Sequence, residues 1–308
     1  MSSAPALPRP VLSIVIPTRN RRELLRQSLI SLENQVGLDG GFEVIVADDG
    51  SSDGTAELLE SLSGSLTYPL YWLRLPGSGA ATARNRALAL ATAPRTLLLG
   101  DDTVPERDAL ANHLSAANGS AEVAIQGRID WDPEQQVTPV MRFLAPEGPQ
   151  FYFKGLRPGR PIPYTIVYAS NLSAPTYWFR EDPFDERFPS AAFEDTELAY
   201  RWLRKGRRTI YGDKAICRHR HHYASIEEFL DRQRIAGRAA RRAIGLHPGM
   251  VARIVLAPAL IGLWRAAQYA WDRLSGRSRP ERRWDLQCRI AFLSGLGRGG
   301  ALRNARSS

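Results

Sequence analysis

Four clusters of side chains in this chain have types and spacings suited to chemistry. Asp101-Asp102-Thr103 follows the run Thr96-Leu97-Leu98-Leu99-Gly100, so two acids stand where a buried strand would emerge. Carboxylate oxygens are hard ligands for Mg2+ or Mn2+, and either ion neutralises a diphosphate; the competing reading is a turn that caps the next helix. Asp48-Asp49-Gly50-Ser51-Ser52-Asp53-Gly54 follows a second apolar run. One of its carboxylates can accept hydrogen bonds from a base or ribose, or the segment is a loop in which Ser52 or Asp53 caps a helix. Glu194-Asp195 opens an amphipathic stretch, where a carboxylate can take a proton from a hydroxyl or simply answer the helix dipole. Arg218-His219-Arg220-His221-His222-Tyr223 holds three of the five histidines. On a strand, His219 and His221 would share a face and reach a metal or a phosphate; a solvated basic loop is the alternative.

The elements that must position these groups alternate. Val11 to Ile16, Phe42 to Ala47, Leu70 to Leu75 and Thr96 to Leu99 read as strands. Between them, helices are expected around Leu24, Leu25, Leu29 and Leu32, from Thr55, and from Ala80 to Ala91. Such alternation implies a parallel sheet with right-handed crossovers, and ligands bind beyond the carboxyl ends of its strands. Pro17-Thr18-Arg19, Asp48-Asp49 and Asp101-Asp102 all stand at such ends. Residues 120 to 190 are aromatic and proline-rich, which suits a mixed sheet with long loops; Trp131, Trp178, Tyr152 and Phe153 there read as core before sugar platforms. A helix is expected from Phe193 to Gly206, and basic helices from Ile226 onward, broken near Pro248, Pro258 and Gly276.

Composition narrows the classes. The 308 residues are 44% hydrophobic and 24% charged, which excludes disordered, collagenous and disulfide-scaffold proteins. Two cysteines and a start without a basic-then-apolar signal pattern lead to the expectation of a cytoplasmic protein. Residues 1 to 200 carry 17 Lys+Arg and 25 Asp+Glu, and residues 201 to 308 carry 24 and 7. The positive charge is therefore C-terminal, where an anionic partner is expected. No Gly-x-Gly-x-x-Gly, P-loop or Gly-x-Ser-x-Gly motif occurs, which weakens dehydrogenase, P-loop and hydrolase readings.

Taken in order, seven stretches resemble glycosyltransferase family 2, inverting enzymes of the GT-A fold. They are Ser13 to Asn20, Val44 to Asp53, Gly79 to Asn85, Leu99 to Asp102, Ala169 to Ser173, Phe184 to Phe188 and Phe193 to Arg201. The resemblance implies a Rossmann-like, mostly parallel sheet flanked by helices. It implies a catalytic domain over residues 1–224, with a nucleotide-binding half at about 11–125 and an acceptor half at about 126–224. It also implies a nucleoside-diphosphate sugar donor, UDP-sugar favoured, and a glycan or lipid-linked acceptor. Pro17, Thr18, Arg19, Asp49 and Arg84 inherit the donor site, Asp101 the ribose, and Asp101 and Asp102 the Mn2+ or Mg2+, with Asp102 preferred. His219, then His221, inherit an approach to metal or diphosphate. Asp195 inherits the role of base, with Glu194 as neighbour or substitute, and Asn171 and Ser173 a loop facing the donor sugar or acceptor. One departure stands out: Leu99 occupies the position of the motif's usual first Asp.

Residues 225–308 lie beyond the resemblance and read as a helical basic extension. Met250 to Trp271 is long enough to cross a bilayer, but Arg253, Pro258, Arg265 and Gln268 interrupt it, so an interfacial helix on an anionic membrane fits better; packing on the protein or in a homo-oligomer is the alternative. The expectation is a cytoplasmic protein, peripheral at the inner face of the membrane where the interfacial reading holds. Nucleic acid is not the expected partner. The competing function is a basic nucleic-acid- or membrane-binding protein with a degenerate, non-catalytic transferase domain.

Overall fold

The run Leu-Ser-Ile-Val-Ile-Pro-Thr forms the first strand, β1 (Leu12–Thr18), because β-branched residues on both faces can be buried between helices. This computed structural model describes residues 9–117, 122–188, 190–277 and 279–297; residues 1–8, where no signal pattern was read, lie outside them. The expected alternation follows: α1 (Arg22–Leu32), β2 (Phe42–Asp48), α2 (Thr55–Leu62), β3 (Leu70–Arg74), α3 (Ala80–Leu88) and β4 (Arg95–Leu99). Leu12, Ile14, Ile16, Val44, Val46, Leu97 and Leu99 form one core with Leu25, Leu29 and Leu32 of α1. Leu99 therefore packs under α1 and does not line a cleft.

The second half completes the sheet with β5 (Thr103–Pro105), α4 (Ala109–Ala117), β6 (Val123–Trp131), α5 (Pro139–Leu144), β7 (Asn171–Pro175), α6 (Thr176–Glu181), α7 (Glu194–Arg204) and β8 (Arg208–His219). Strand order is β3-β2-β1-β4-β7-β6-β8-β5. The first four strands are parallel, whereas β7 runs antiparallel to both β4 and β6. The sheet is thus mixed from β7 onward, as the irregular sequence there suggested. β6 crosses the boundary expected near residue 125, so the two halves share one sheet.

The chain divides into residues Met1–His222 and Tyr223–Ser308, two residues before the expected boundary. The second unit contains α8 (Ile226–Leu246), α9 (Ala257–Leu274) and α10 (Pro280–Gly297). Near Pro258 the helix changes type and does not end: a π-helical turn, Ala252–Leu256, runs directly into α9, the kind of local adjustment that accommodates a proline within a helix.

Candidate active site

β1 and β4 are neighbours in the sheet, so the turns that leave them meet. Thr18 Oγ1 donates to Asp101 Oδ2 at 2.9 Å. Arg21 Nη1 donates to Asp101 Oδ1 at 3.1 Å and to Asp102 Oδ2 at 2.6 Å. His219, at the end of β8, brings Nε2 to 3.4 Å from the same Asp102 oxygen. Gly100 makes the turn possible, since a Cβ there would lie 2.6 Å from Thr103 Oγ1. The Asp102 carbonyl accepts from Arg220 N at 2.8 Å, which ties this turn to β8.

The two carboxyls differ in electrostatics. Burial, joined by the charge of Asp102, pushes Asp101 up to about 6 against the pull of Arg21. Burial also works against the charge of Asp102, but His219 and Arg21 together outweigh it and hold that carboxyl well below its usual range. Asp102 is therefore the more readily ionised of the pair.

The donor set suits a hard divalent cation. Two carboxylate oxygens converge on one cationic nitrogen, with an imidazole beside them, so the fold already gathers negative charge at a point. Among the described residues no three His, Cys, Asp or Glu side chains form a preformed metal cage. None is required, because Mg2+ and Mn2+ bound to nucleotides rely on one or two carboxylates plus substrate phosphates.

Beyond β2, Asp48 and Asp49 do different work. Asp48 Oδ1 accepts from Ser51 N at 2.8 Å and shapes its own loop. Asp49 accepts from Ser78 N and Gly79 N at 2.5 and 2.9 Å, drawing the Gly77-Ser78-Gly79 loop to the strand end. Arg19 Nη1 stands 3.9 Å from Asp49. Asn20, held at φ 52°, receives Ser52 N on its side-chain oxygen at 2.8 Å.

The other end of the site is set by α7. Phe193 precedes it with φ 68°, a strained conformation for a bulky residue. Glu194 is buried and accepts from Arg84 Nη1 of α3 at 2.7 Å. Asp195 is only partly buried; it accepts from Thr196 N at 2.7 Å and from Ala169 N at 3.2 Å. Burial raises both carboxyls above their usual range, opposed at Glu194 by Arg84. The neighbouring Ser170 carbonyl accepts from Gly100 N at 3.2 Å. A short run of backbone thus joins Asp195 to the turn that carries Asp101 and Asp102.

The structure brings together Thr18, Asp101, Asp102 and His219, and separately Arg84, Glu194 and Asp195. It changes three expectations. Asn171 and Ser173 are not on a loop: both are wholly buried in β7. Asn171 bonds His113 Nε2 at 2.7 Å and the carbonyls of Arg128 and Ala215, and Ser173 accepts from Arg95. Their polar groups are spent inside the sheet and cannot face a sugar. His221 lies past the end of β8, so it shares no strand face with His219, although their rings stack at 5.9 Å. Arg84 is committed to Glu194, and so joins α3 to α7 before it meets any donor. Sequence reasoning missed Arg21; its only signal was a cation directly after the Pro17-to-Asn20 turn.

The mixed sheet, with paired carboxylates at its switch point, has the expected GT-A fold. The sequence profile of glycosyl transferase family 2 matches residues 13–171, and the chain belongs to that family. It is 29% identical over 216 residues to validoxylamine A glucosyltransferase of Streptomyces hygroscopicus subsp. limoneus, across 62% of this chain and 48% of that protein. It is 38% identical over 116 residues to the uncharacterized glycosyltransferase YfnE of Bacillus subtilis (strain 168), across 37% and 29%. The chain thus spans about half or less of the length of these relatives. In structure it is similar to the mannosyltransferase PcManGT from Pyrobaculum calidifontis, solved with GDP-Man and Mn2+ (TM-score 0.66, 17% identity, 94% of this chain and 87% of that one). It is also similar to S. aureus TarS 1-349, solved with UDP (TM-score 0.53, 17% identity, 92% and 88%). At that identity these two likenesses speak to fold alone.

Proposed function

We propose that this protein is an inverting, metal-dependent glycosyltransferase that moves a sugar from a nucleoside-diphosphate donor, UDP-sugar favoured, to a hydroxyl of a glycan or lipid-linked acceptor at the cytoplasmic face of the membrane. The observation that carries the reading is the backbone link from Asp195 through Ala169 and Ser170 to Gly100. It keeps a proton acceptor and an anionic cation-binding pair in one constellation.

Asp195 takes the proton of the acceptor hydroxyl, which attacks the anomeric carbon opposite the leaving diphosphate; one displacement inverts that centre. Glu194, neutralising Arg84, holds α7 and keeps Asp195 aimed. Asp102, with Asp101 and His219 beside it, would hold Mn2+ or Mg2+, whose charge stabilises the departing diphosphate. Thr18, Arg19 and Asp49 line the nucleoside end, with Pro17 in the strand behind them.

A thermal-shift screen with UDP, GDP, dTDP and CDP, with and without Mn2+, tests the reading. A metal-dependent rise in Tm with one nucleotide, lost in Asp102→Ala, is expected, since a ligand that binds the folded state must stabilise it. No rise with any nucleotide favours the non-catalytic, basic binding protein.

A further inference from the structure

Helix α9 is turned inside out. Its one buried residue is an acid, Asp272, whose carboxylate lies 2.8 Å from Arg282 of α10. Arg282 and Arg289 also donate to the carbonyls of Gln268 and Pro258, each at 3.2 Å. The outside is apolar: Leu260, Leu263, Trp264, Trp271 and Leu274 are 57 to 85% exposed. Spacings of three, four and seven place them along one stripe. An 18-residue window of the helical stretch Pro248–Leu274 reaches mean hydropathy 1.5, yet only 11% of that window is buried. Soluble monomers rarely leave so long an apolar stripe in water.

Where α9 turns into α10, a cavity of about 490 Å3 is lined by Arg273, Arg277, Arg279 and Arg283 together with Asp272, Tyr269 and Trp284. Asp272, the one acid in the lining, is engaged by Arg282, and the nearby Asp285 by Arg289. Among the described residues the four cavity arginines have no carboxylate partner. Four guanidinium groups against one carboxylate that Arg282 already engages leave the space cationic, which suits phosphate oxygens.

An apolar stripe that ends in a phosphate-binding cavity matches an anionic phospholipid bilayer. A second copy of this chain fits poorly, because residues 223–308 carry 16 Arg against 6 Asp+Glu and two such faces repel. A spanning helix fits poorly too, because Arg265, Gln268 and Asp272 make the opposite face polar. We propose that α9 and α10 form a phospholipid-binding hairpin: α9 lies in the plane of an anionic membrane with its stripe among the acyl chains, while the arginine cavity takes a headgroup phosphate. The inference rests on the membrane placement proposed above and not on the transfer chemistry.

Flotation of the full chain with vesicles tests it, using phosphatidylcholine alone or mixed with phosphatidylglycerol. The wild type is expected to partition at least tenfold more strongly onto the anionic vesicles. Arg277→Gln/Arg279→Gln/Arg283→Gln should weaken that partition on the order of a hundredfold, from roughly fivefold per arginine. Leu263→Glu/Trp271→Glu, at two exposed positions, should weaken it at least roughly tenfold with circular dichroism unchanged. Equal partition onto both vesicle types, or none, overturns the proposal. So does a dimer, seen by light scattering, that the Glu pair dissolves while flotation persists. A Tm rise with inorganic phosphate but no flotation overturns it in favour of a soluble phosphate ligand. The nucleotide thermal shift, run on the same variants, should be retained, so loss of membrane binding is told apart from failure of the donor site.

Discussion

One guanidinium nitrogen, Arg21 Nη1, sits 2.6 Å from Asp102 and 3.1 Å from Asp101, at the point where both carboxylates direct their charge. Arg21 and a divalent cation therefore compete for the same oxygens. Replacing it as Arg21→Gln should tighten Mn2+ binding on the order of tenfold, the worth of a charge-assisted hydrogen bond discounted for a side chain 36% exposed. Mn2+ titration by electron paramagnetic resonance reads this directly; weaker binding in the variant would show that Arg21 assists the cation.

The Arg84–Glu194 pair is buried on both sides, and removing one partner strands a charge. Arg84→Met should lose about 3–5 kcal/mol of stability, a fall in Tm on the order of 10 °C. The double variant Arg84→Met/Glu194→Gln should recover much of that loss. A single variant as stable as the wild type would mean the pair is not coupled as drawn.

The two acids that begin α7 should separate by phenotype. Asp195→Asn should lower kcat by about two to four orders of magnitude while the nucleotide-dependent Tm rise is retained. Glu194→Gln should act mainly through stability, by leaving Arg84 unpaired. If the Glu194 variant keeps its stability and loses the larger share of kcat, the base is Glu194.

His113 gives the fold a pH dependence of known sign. Asn171 donates both amide hydrogens to carbonyls, so its oxygen accepts from His113 Nε2 and leaves buried Nδ1 without a partner. Burial lowers the imidazole from 6.5 to about 4. Above pH 6.5 the ring is neutral in both states and contributes no slope. Below it the unfolded chain takes a proton that the native state refuses, so stability falls by about 1.4 kcal/mol per pH unit until near pH 4. Urea titrations at neutral and acidic pH should show a shallower fall in His113→Gln; parallel losses in the two proteins would refute the assignment.

The strands and helices of the first hundred residues were legible because buried parallel strands are continuous apolar runs and the helices between them keep a 3.6-residue period. The carboxylates at strand ends followed from the same logic, since chain direction alone puts them on one edge of the sheet. The sequence also marked residues 250–271 as apolar and their surroundings as basic. What it did not determine is which polar group meets which. The resemblance placed Asn171-Leu172-Ser173 on a loop, yet the segment pairs with β4 and β6 as a strand, and His113 and Arg95, 58 and 78 residues away, satisfy its side chains. Arg21 became visible only when its partners, 80 and 81 residues distant, were in place. Likewise, only the packing of α10 against Asp272 decided that α9 turns its polar face inward. Local pattern sets period and direction, whereas the pairing of buried charges is a property of contacts between segments far apart in the chain.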